Sequence, residues 1–150
     1  MTEPLKTRLQ EDVKIAMKAK ERARLGVIRL IMSAIKQREV DERIVLDDAQ
    51  IVEVLSRMLK QRRDSFKQYT DAGRQDLADQ EAFEINLIQD YLPPPLDDTA
   101  IATLIDEVIV STGATSPRDM GKVMAQLKPQ IQGRADLGQV SALVKARFQG

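Results

Sequence analysis

Three consecutive prolines at positions 93–95 restrict the fold of this 150-residue chain more than any other feature. Proline has no backbone N–H and clashes with the preceding helical turn, so no helix continues through such a run. On both sides of it, apolar residues recur every three or four positions, which is the period of an amphipathic helix. The run also favours an extended, semi-stiff linker. We therefore expect an all-α protein with an N-terminal helical domain over residues 1–92, a Pro-rich linker over 93–96 and a small C-terminal three-helix domain over 97–150.

The N-terminal domain is predicted to contain about four helices, arranged as a hairpin or bundle. Thr2 can cap the first helix. The segment REVDERIVL, residues 38–46, breaks the pattern of the second helix. Before that break, apolar residues alternate between three and four positions apart, the spacing of a narrow packing seam: Leu25, Ile28, Met32 and Ile35.

The next two helices of this domain carry recognisable start and stop signals. Asp47 with Gln50 resembles a capping box that opens the third helix. Gly73 is placed to end it. The fourth helix is predicted over roughly residues 76–92, with Phe83 among its buried residues.

Three short helices are predicted in the C-terminal domain. Asp97 is placed to cap the first of them, and Gly113 to end it. Ser116 precedes a proline at the first helical position of the second. Asp136 with Gln139 repeats the capping pattern for the last helix.

The composition removes several kinds of active site. There is no Cys and no His, which excludes disulfides, thiolate nucleophiles, His bases and most zinc sites. Ser141 and Lys145 are four apart and share a helix face, but nothing nearby supplies an oxyanion hole. Acidic pairs such as Asp47 and Asp48 occur where helix starts favour negative charge. We therefore expect no catalytic residue, no cofactor and no metal ion.

No segment of the sequence is suited to export or membrane insertion. The stretch MTEPLKTRLQED lacks the apolar core of a signal peptide. No run approaches the roughly 18 apolar residues of a membrane span. We therefore expect a cytoplasmic protein without membrane contact.

The balance of charge argues against a chain built mainly to bind nucleic acid. Lys+Arg and Asp+Glu both number 23, and there is no Trp on which bases could stack. From Pro117 onward, however, six basic residues face only Asp119 and Asp136. On spacing alone, solvated surface is favoured over nucleic-acid binding. The side chains placed to contact phosphate are Lys122, Lys128, Arg134 and Lys145.

The stretch MGKVMAQLKPQIQGRAD, residues 120–136, places two glycines and a proline among these basic residues. Gly121 lies at the edge of the apolar stripe and costs about 1 kcal/mol against alanine, so we expect another helix or a ligand backbone to approach it closely. Pro129 and Gly133 predict a sharp turn, with a positive φ at Gly133. The carboxylate of Asp136 would occupy the amides that start the last helix, which argues against a phosphate there.

Arg63 interrupts an apolar stripe, because it follows Leu59 by four positions and precedes Phe66 by three. Such a charge either extends to solvent or meets a carboxylate on a packed helix. We favour a structural ion pair inside a helical hairpin. The functional alternative is a partner-binding surface at Arg62 and Arg63.

Three stretches resemble the YqeY-like proteins of the GatB/YqeY domain family, and the likeness extends over the whole chain: IRLIMSAIKQREVDER, QRRDSFKQYTDAGRQDLADQEAFEINLIQDYLP and MGKVMAQLKPQIQGRADLGQVSALVKARF. The resemblance implies an all-helical fold whose C-terminal part is similar to the tail of the B subunit of the glutamine-dependent tRNA amidotransferase. That tail helps to hold tRNA while the chemistry takes place elsewhere. Relatives more often carry Gln near the third proline, a difference that bears on linker stiffness.

The resemblance implies a tRNA-facing role for Lys122, Lys128, Gly133, Arg134 and Lys145, and no catalytic residue. The predicted function is a non-catalytic accessory protein that binds tRNA, or a tRNA-processing protein complex, through its C-terminal domain. Two alternatives stay open. One is a protein–protein adaptor that uses the charged N-terminal helices, and the other is an accessory carbon–nitrogen ligase activity with glutamine as amide donor.

Overall fold

The computed structural model describes residues 4–149, and the regular structure among them is entirely helical. The prediction of an all-α protein is therefore confirmed. Thr2, predicted as the first cap, lies outside the described residues. Within residues 4–149 there are seven α-helices and one short 3₁₀ turn: α1 Leu5–Lys18, α2 Arg22–Glu42, α3 Asp48–Asp71, α4 Gln75–Gln89, α5 Asp98–Thr112, the 3₁₀ turn Pro117–Asp119, α6 Met120–Ile131 and α7 Leu137–Gln149.

The helices form two compact units, one ending at Leu92 and the other beginning at Pro93. We call them the N-terminal unit, with α1–α4, and the C-terminal unit, with α5–α7. Each has a hydrophobic core of its own. The fully buried large side chains of the N-terminal unit are Leu9, Ile28, Ile31, Ile51, Leu55 and Ile88, and those of the C-terminal unit are Ile105, Val123, Leu127, Ile131, Val140 and Val144.

The acidic pair Asp47 and Asp48 caps two different helices. The backbone N–H of Gln50 donates to Asp47 Oδ1 at 2.9 Å, and Gln50 Oε1 accepts from the N–H of Asp47 at 2.9 Å, which is the predicted capping box. Asp48 Oδ1 accepts from the backbone N–H of Leu5 at 3.0 Å. A carboxylate at the start of α3 thus satisfies an amide at the start of α1, and it joins the two helices.

The second helix continues further than its apolar pattern predicts. It ends at Glu42, and Arg43 leaves the helix with a φ of 55°. The predicted break at residues 38–46 therefore begins five residues late. Arg38 stabilises the extra turn, because its guanidinium bonds to Glu42 at 2.5 Å and to Glu53 of α3 at 2.9 Å. No Gly or Pro interrupts this segment.

The prediction that Phe83 is buried is wrong, since 40% of its surface is exposed. Ala78 and Ile88, which are fully buried in α4, each lie five positions away. Five positions correspond to about 140° around a helix, so Phe83 points away from the face that packs on the core. The helix also ends at Gln89 rather than at Leu92, although Tyr91 and Leu92 are buried in the turn that follows.

Two glycines in the C-terminal unit behave differently from one another. Gly113 ends α5 with a φ of 68°, as predicted. Gly121 is exposed, and a Cβ placed there would meet nothing within 4 Å. The prediction of close approach by another helix at Gly121 is therefore wrong, because the residue lies on the solvent side of α6 rather than at the edge of the core.

The turn between the last two helices is formed by Gly133 and not by Pro129. Pro129 lies inside α6, which continues to Ile131, and Gly133 has a φ of 78°. Because Pro129 has no backbone N–H, the helical hydrogen bond from residue 129 to the carbonyl oxygen of Ala125 is missing. Ala125 is exposed, so that carbonyl can bond to water.

Candidate nucleic-acid interface

Lys122 and Lys128 extend from α6 into solvent. Both residues are exposed, and neither forms an ion pair with a described residue. They are six positions apart, which corresponds to about 120° around the helix. The two side chains therefore leave the helix in different directions, and we expect their ammonium groups to contact different phosphates. Around the helix axis, the exposed Gly121 and Ala125 lie between the two lysines, and neither has a bulky side chain.

Arg134 makes two contacts that fasten the proline-rich segment. Its Nε donates to the carbonyl oxygen of Pro94 at 3.0 Å. Its own carbonyl oxygen accepts from the backbone N–H of Leu96 at 2.8 Å. Arg134 is half-buried. Arg134, which the sequence predicts as a phosphate contact, is thus bonded within the protein itself. Its two bonds anchor residues 94–96 to the turn that Gly133 makes.

The amides at the start of α7 are covered by the carboxylate of Asp136. The N–H of Gln139 donates to Asp136 Oδ2 at 3.2 Å. This arrangement agrees with the sequence argument against a phosphate at that helix start, because the carboxylate fills the site and repels an anion.

Lys145 and Arg147 on α7 have different surroundings. Lys145 is exposed and no hydrogen bond joins it to Ser141 within the described part of the chain. Arg147 forms an ion pair with Asp106 of α5. That pair spans 41 residues, so no local pattern could have indicated it. The two side chains share a helix face, as their spacing requires, but no bond between them supports a catalytic Ser–Lys pair, which the sequence did not favour.

Asp119 is the acid nearest in sequence to the basic side chain of Lys122. Its Oδ2 accepts from the backbone N–H of Thr115 at 2.9 Å and from that of Ser116 at 3.3 Å. The pKa of Asp119 is lowered, chiefly by the bond from Thr115, then by that from Ser116 and by the charge of Lys122. Its charge is thus directed mainly to the backbone, and the ammonium of Lys122 remains exposed.

In the N-terminal unit, Arg62 and Arg63 both contact α4. Arg62 Nε bonds to Glu84 Oε2 at 3.2 Å, and both side chains are largely buried. Arg63 Nη2 donates to Gln89 Oε1 at 3.3 Å and is exposed. The expected ion pair inside a helical hairpin therefore exists, but Arg62 makes it. The assignment to Arg63 is wrong, because its position in the apolar stripe does not show which arginine faces a carboxylate.

A second carboxylate, Glu81, lies beside this pair. Its pKa is raised, first because it is desolvated and second because Glu84 carries a like charge, while Arg62 acts in the opposite direction. One of its oxygens, Oε2, is buried and has no hydrogen-bond partner in the described structure. Arg62 therefore balances two acids on α4 rather than one.

Protein-family comparison matches residues 6–148 of the chain to the model described as Yqey-like protein. Curated relatives carry the name "Altered inheritance of mitochondria protein 41, mitochondrial". The relative from Vanderwaltozyma polyspora is 31% identical over 119 residues, 75% of this chain and 64% of the relative. That from Kluyveromyces lactis is 36% identical over 84 residues, 55% of this chain and 45% of the relative. The chain thus spans less than two thirds of these two relatives. The relative from Lachancea thermotolerans is 28% identical over 94% of this chain and 79% of its own length.

These relatives overturn the prediction of a cytoplasmic protein, because each of them is named as mitochondrial. That prediction rested on the absence of an apolar leader and an apolar span. Mitochondrial transit peptides are amphipathic and Arg-rich rather than apolar, so such an absence does not distinguish the two compartments. Among residues 4–149, none of the helices combines the length and apolarity that a membrane crossing needs.

Proposed function

The chain belongs to the YqeY-like protein family, and from this premise we propose that it is a non-catalytic accessory protein whose C-terminal unit binds tRNA. The proposal concerns the backbone of the RNA and not its sequence. It rests on one observation, the exposed lysines of α6 and α7. Lys122, Lys128 and Lys145 extend into solvent and pair with no described carboxylate.

The contrast with the other basic residues of the same unit supports this proposal. Arg147 is paired with Asp106, and Arg134 is bonded to Pro94. Asp119 and Asp136 are occupied with backbone amides. The positive excess that the sequence shows after Pro117 therefore falls on the exposed lysines and on Arg118, which is also exposed and forms no ion pair with a described residue. A phosphate backbone is a ligand with many regularly spaced negative charges that such a surface can neutralise.

The residues on α6 and α7 favour phosphate contacts over base contacts. Phe148 is the only aromatic side chain of the C-terminal unit, and it packs against the core. Bases therefore have no exposed aromatic platform on which to stack. We expect weak sequence preference and strong dependence on salt. Three phosphate contacts correspond to a slope of log K against log salt of about −2 to −3.

The experiment measures binding of purified total tRNA to the full chain by fluorescence anisotropy at several salt concentrations. Lys122→Ala, Lys128→Ala and Lys145→Ala are combined in one variant, which should bind about tenfold or more weakly and show a shallower salt slope. The matched control combines Lys14→Ala, Lys60→Ala and Lys67→Ala, three exposed lysines of the N-terminal unit. Equal losses in the two variants, or no binding of the unaltered chain at low salt, would contradict the proposal.

The two alternatives from the sequence predict different results. An adaptor that acts through Arg62 and Arg63 would purify with one stoichiometric protein partner and no RNA, and Arg63→Ala would release that partner. A carbon–nitrogen ligase would release ammonia from glutamine in the presence of the purified chain, and a single substitution would abolish the release. Either result, without tRNA binding, would replace the proposal above.

A further inference from the structure

A groove of about 610 Å³ runs between α1 and α2 on the N-terminal unit. Leu9 and Val13 of α1 and Met32 and Ile35 of α2 contribute its apolar lining. Grooves that bind an amphipathic helix present an apolar lining to the apolar face of that helix. No sequence pattern indicated this groove, because it depends on how the two helices pack.

Two basic side chains, Arg29 and Lys36, line the α2 side of the groove. Both are exposed, and neither is in an ion pair with a described residue. They are seven positions apart, so they share one face of α2 and are separated along its axis by about 10.5 Å. The exposed Ser33 lies between them.

Among the described residues, the one acid that lines the groove is already engaged. Glu39 accepts from Lys6 Nζ at 2.6 Å and from the backbone N–H of Leu46 at 2.9 Å. These bonds, that from Lys6 first, lower its pKa, and the charge of Lys36 also contributes. The negative charge of Glu39 is therefore directed to Lys6 and Leu46, and Arg29 and Lys36 give the remaining surface a net positive charge.

Exposed apolar side chains extend this surface beyond the groove. Met17 of α1 is 53% exposed, and its Sδ lies 4.0 Å from Arg29 Nη2. Val40 follows Lys36 by four positions on α2 and is 62% exposed. A partner bound in the groove would therefore also meet exposed apolar side chains beyond the residues that line it.

We propose that this groove binds an acidic amphipathic helix of a partner protein. The occupant follows from charge and dimensions. The groove extends from Arg29 to Glu39, about 15 Å, which is the length of a ten-residue helix. A helix with an apolar stripe would cover the apolar lining, and two acidic residues seven positions apart would meet Arg29 and Lys36. An RNA backbone has no apolar groups that the partly exposed Val13 and Met32 could bury, so the groove favours protein. This site is independent of the tRNA surface proposed above.

The probe is a synthetic, fluorescently labelled helical peptide of about 14 residues, with a Leu stripe and two Glu seven positions apart. The control peptide has the same composition in scrambled order. The full-length protein is titrated by fluorescence anisotropy. We expect saturable binding of the patterned peptide, at least about tenfold tighter than binding of the scrambled one. Equal affinity for the two peptides would overturn the proposal.

Charge reversal locates the binding on the protein. The variant with Arg29→Glu and Lys36→Glu should lose about tenfold or more in affinity. The matched control is Lys60→Glu with Lys67→Glu, which reverses two exposed lysines that are also seven positions apart, on α3. That control should stay within about twofold of the unaltered protein. Equal losses in both variants would mean a general charge effect and would contradict the proposal.

Methionine methyl groups supply a readout that does not depend on substitution. In protein labelled with ¹³C at methionine methyls, the patterned peptide should shift the NMR signals of Met17 and Met32. The signals of Met120 and Met124 in the C-terminal unit should stay unchanged. Shifts at Met120 and Met124 alone would place the peptide elsewhere and overturn the assignment. Displacement of the peptide from Met32 by single-stranded RNA would favour RNA as the ligand instead.

Discussion

In the N-terminal unit, ion pairs join each helix to the next one along the chain, whereas the C-terminal unit leaves most of the basic residues after Pro117 outside such pairs. Lys6 bonds to Glu39, Arg38 to Glu53 and Arg62 to Glu84, at 2.6, 2.9 and 3.2 Å. After Pro117, the one ion pair among described residues is that of Arg147. The paired charges of the N-terminal unit help to fix helix positions, and the unpaired charges of the C-terminal unit remain available to a ligand.

The same difference separates Arg134 from the lysines near it. Arg134 belongs by sequence to the basic group of the C-terminal unit, but its bond to Pro94 gives it a structural role like that of Arg38 and Arg62. Charge in a sequence therefore does not indicate function until its partner is known. The predictions below test this division between the two units.

The largest effect is expected from Leu55→Ala in the core of the N-terminal unit. Leu55 is fully buried, and its truncation should lower the free energy of unfolding of that unit by about 2–5 kcal/mol. Tyr69 and Tyr91 are the two tyrosines of the chain and both lie in this unit, so tyrosine fluorescence in urea reports on it. Amide exchange of α7 should change little, and an equal loss of protection there would show that the two units do not unfold separately.

A smaller effect should distinguish a pairing arginine from an exposed lysine. Arg62→Ala leaves Glu84 and Glu81 without their counter-charge and should lower the unfolding free energy by about 1–3 kcal/mol. Lys122→Ala should change it by less than about 0.5 kcal/mol. Arg63→Ala is the control on the same helix, and urea unfolding measures all three. A loss at Lys122 as large as that at Arg62 would contradict the division drawn above.

The smallest effects concern the two contrasting glycines of the C-terminal unit. Gly121→Ala should raise the stability of this unit by about 0.5–1 kcal/mol, because α6 is helical there and no neighbour meets the added Cβ. Gly113→Ala should lower it by about 1 kcal/mol, because its φ is positive. Amide exchange of α5 and α6 gives both values. Destabilisation by Gly121→Ala would show that the residue has a neighbour after all.

Local features of the fold were predictable because their causes lie within a few residues. The caps at Asp47, Asp97 and Asp136 each involve an amide three positions later. The positive φ at Gly73 and Gly133 follows from the chemistry of glycine. The prediction for Phe83 fails because burial at that position depends on how α4 packs and not on neighbouring residues. Periodicity indicates that α4 has an apolar face, but not which part of a broad face meets α3.

The candidate site was predictable in composition and not in arrangement. The sequence alone determined the helices, their caps and the excess of positive charge after Pro117, since these depend on neighbouring residues. The tertiary structure decided that Arg134 bonds to Pro94, that Arg62 rather than Arg63 pairs with Glu84, and that α1 and α2 enclose a groove. Arg134 and Pro94 are 40 positions apart in the chain, and Arg62 and Glu84 are 22 apart. Packing of whole helices brings such groups together, and no pattern within a few residues encodes it.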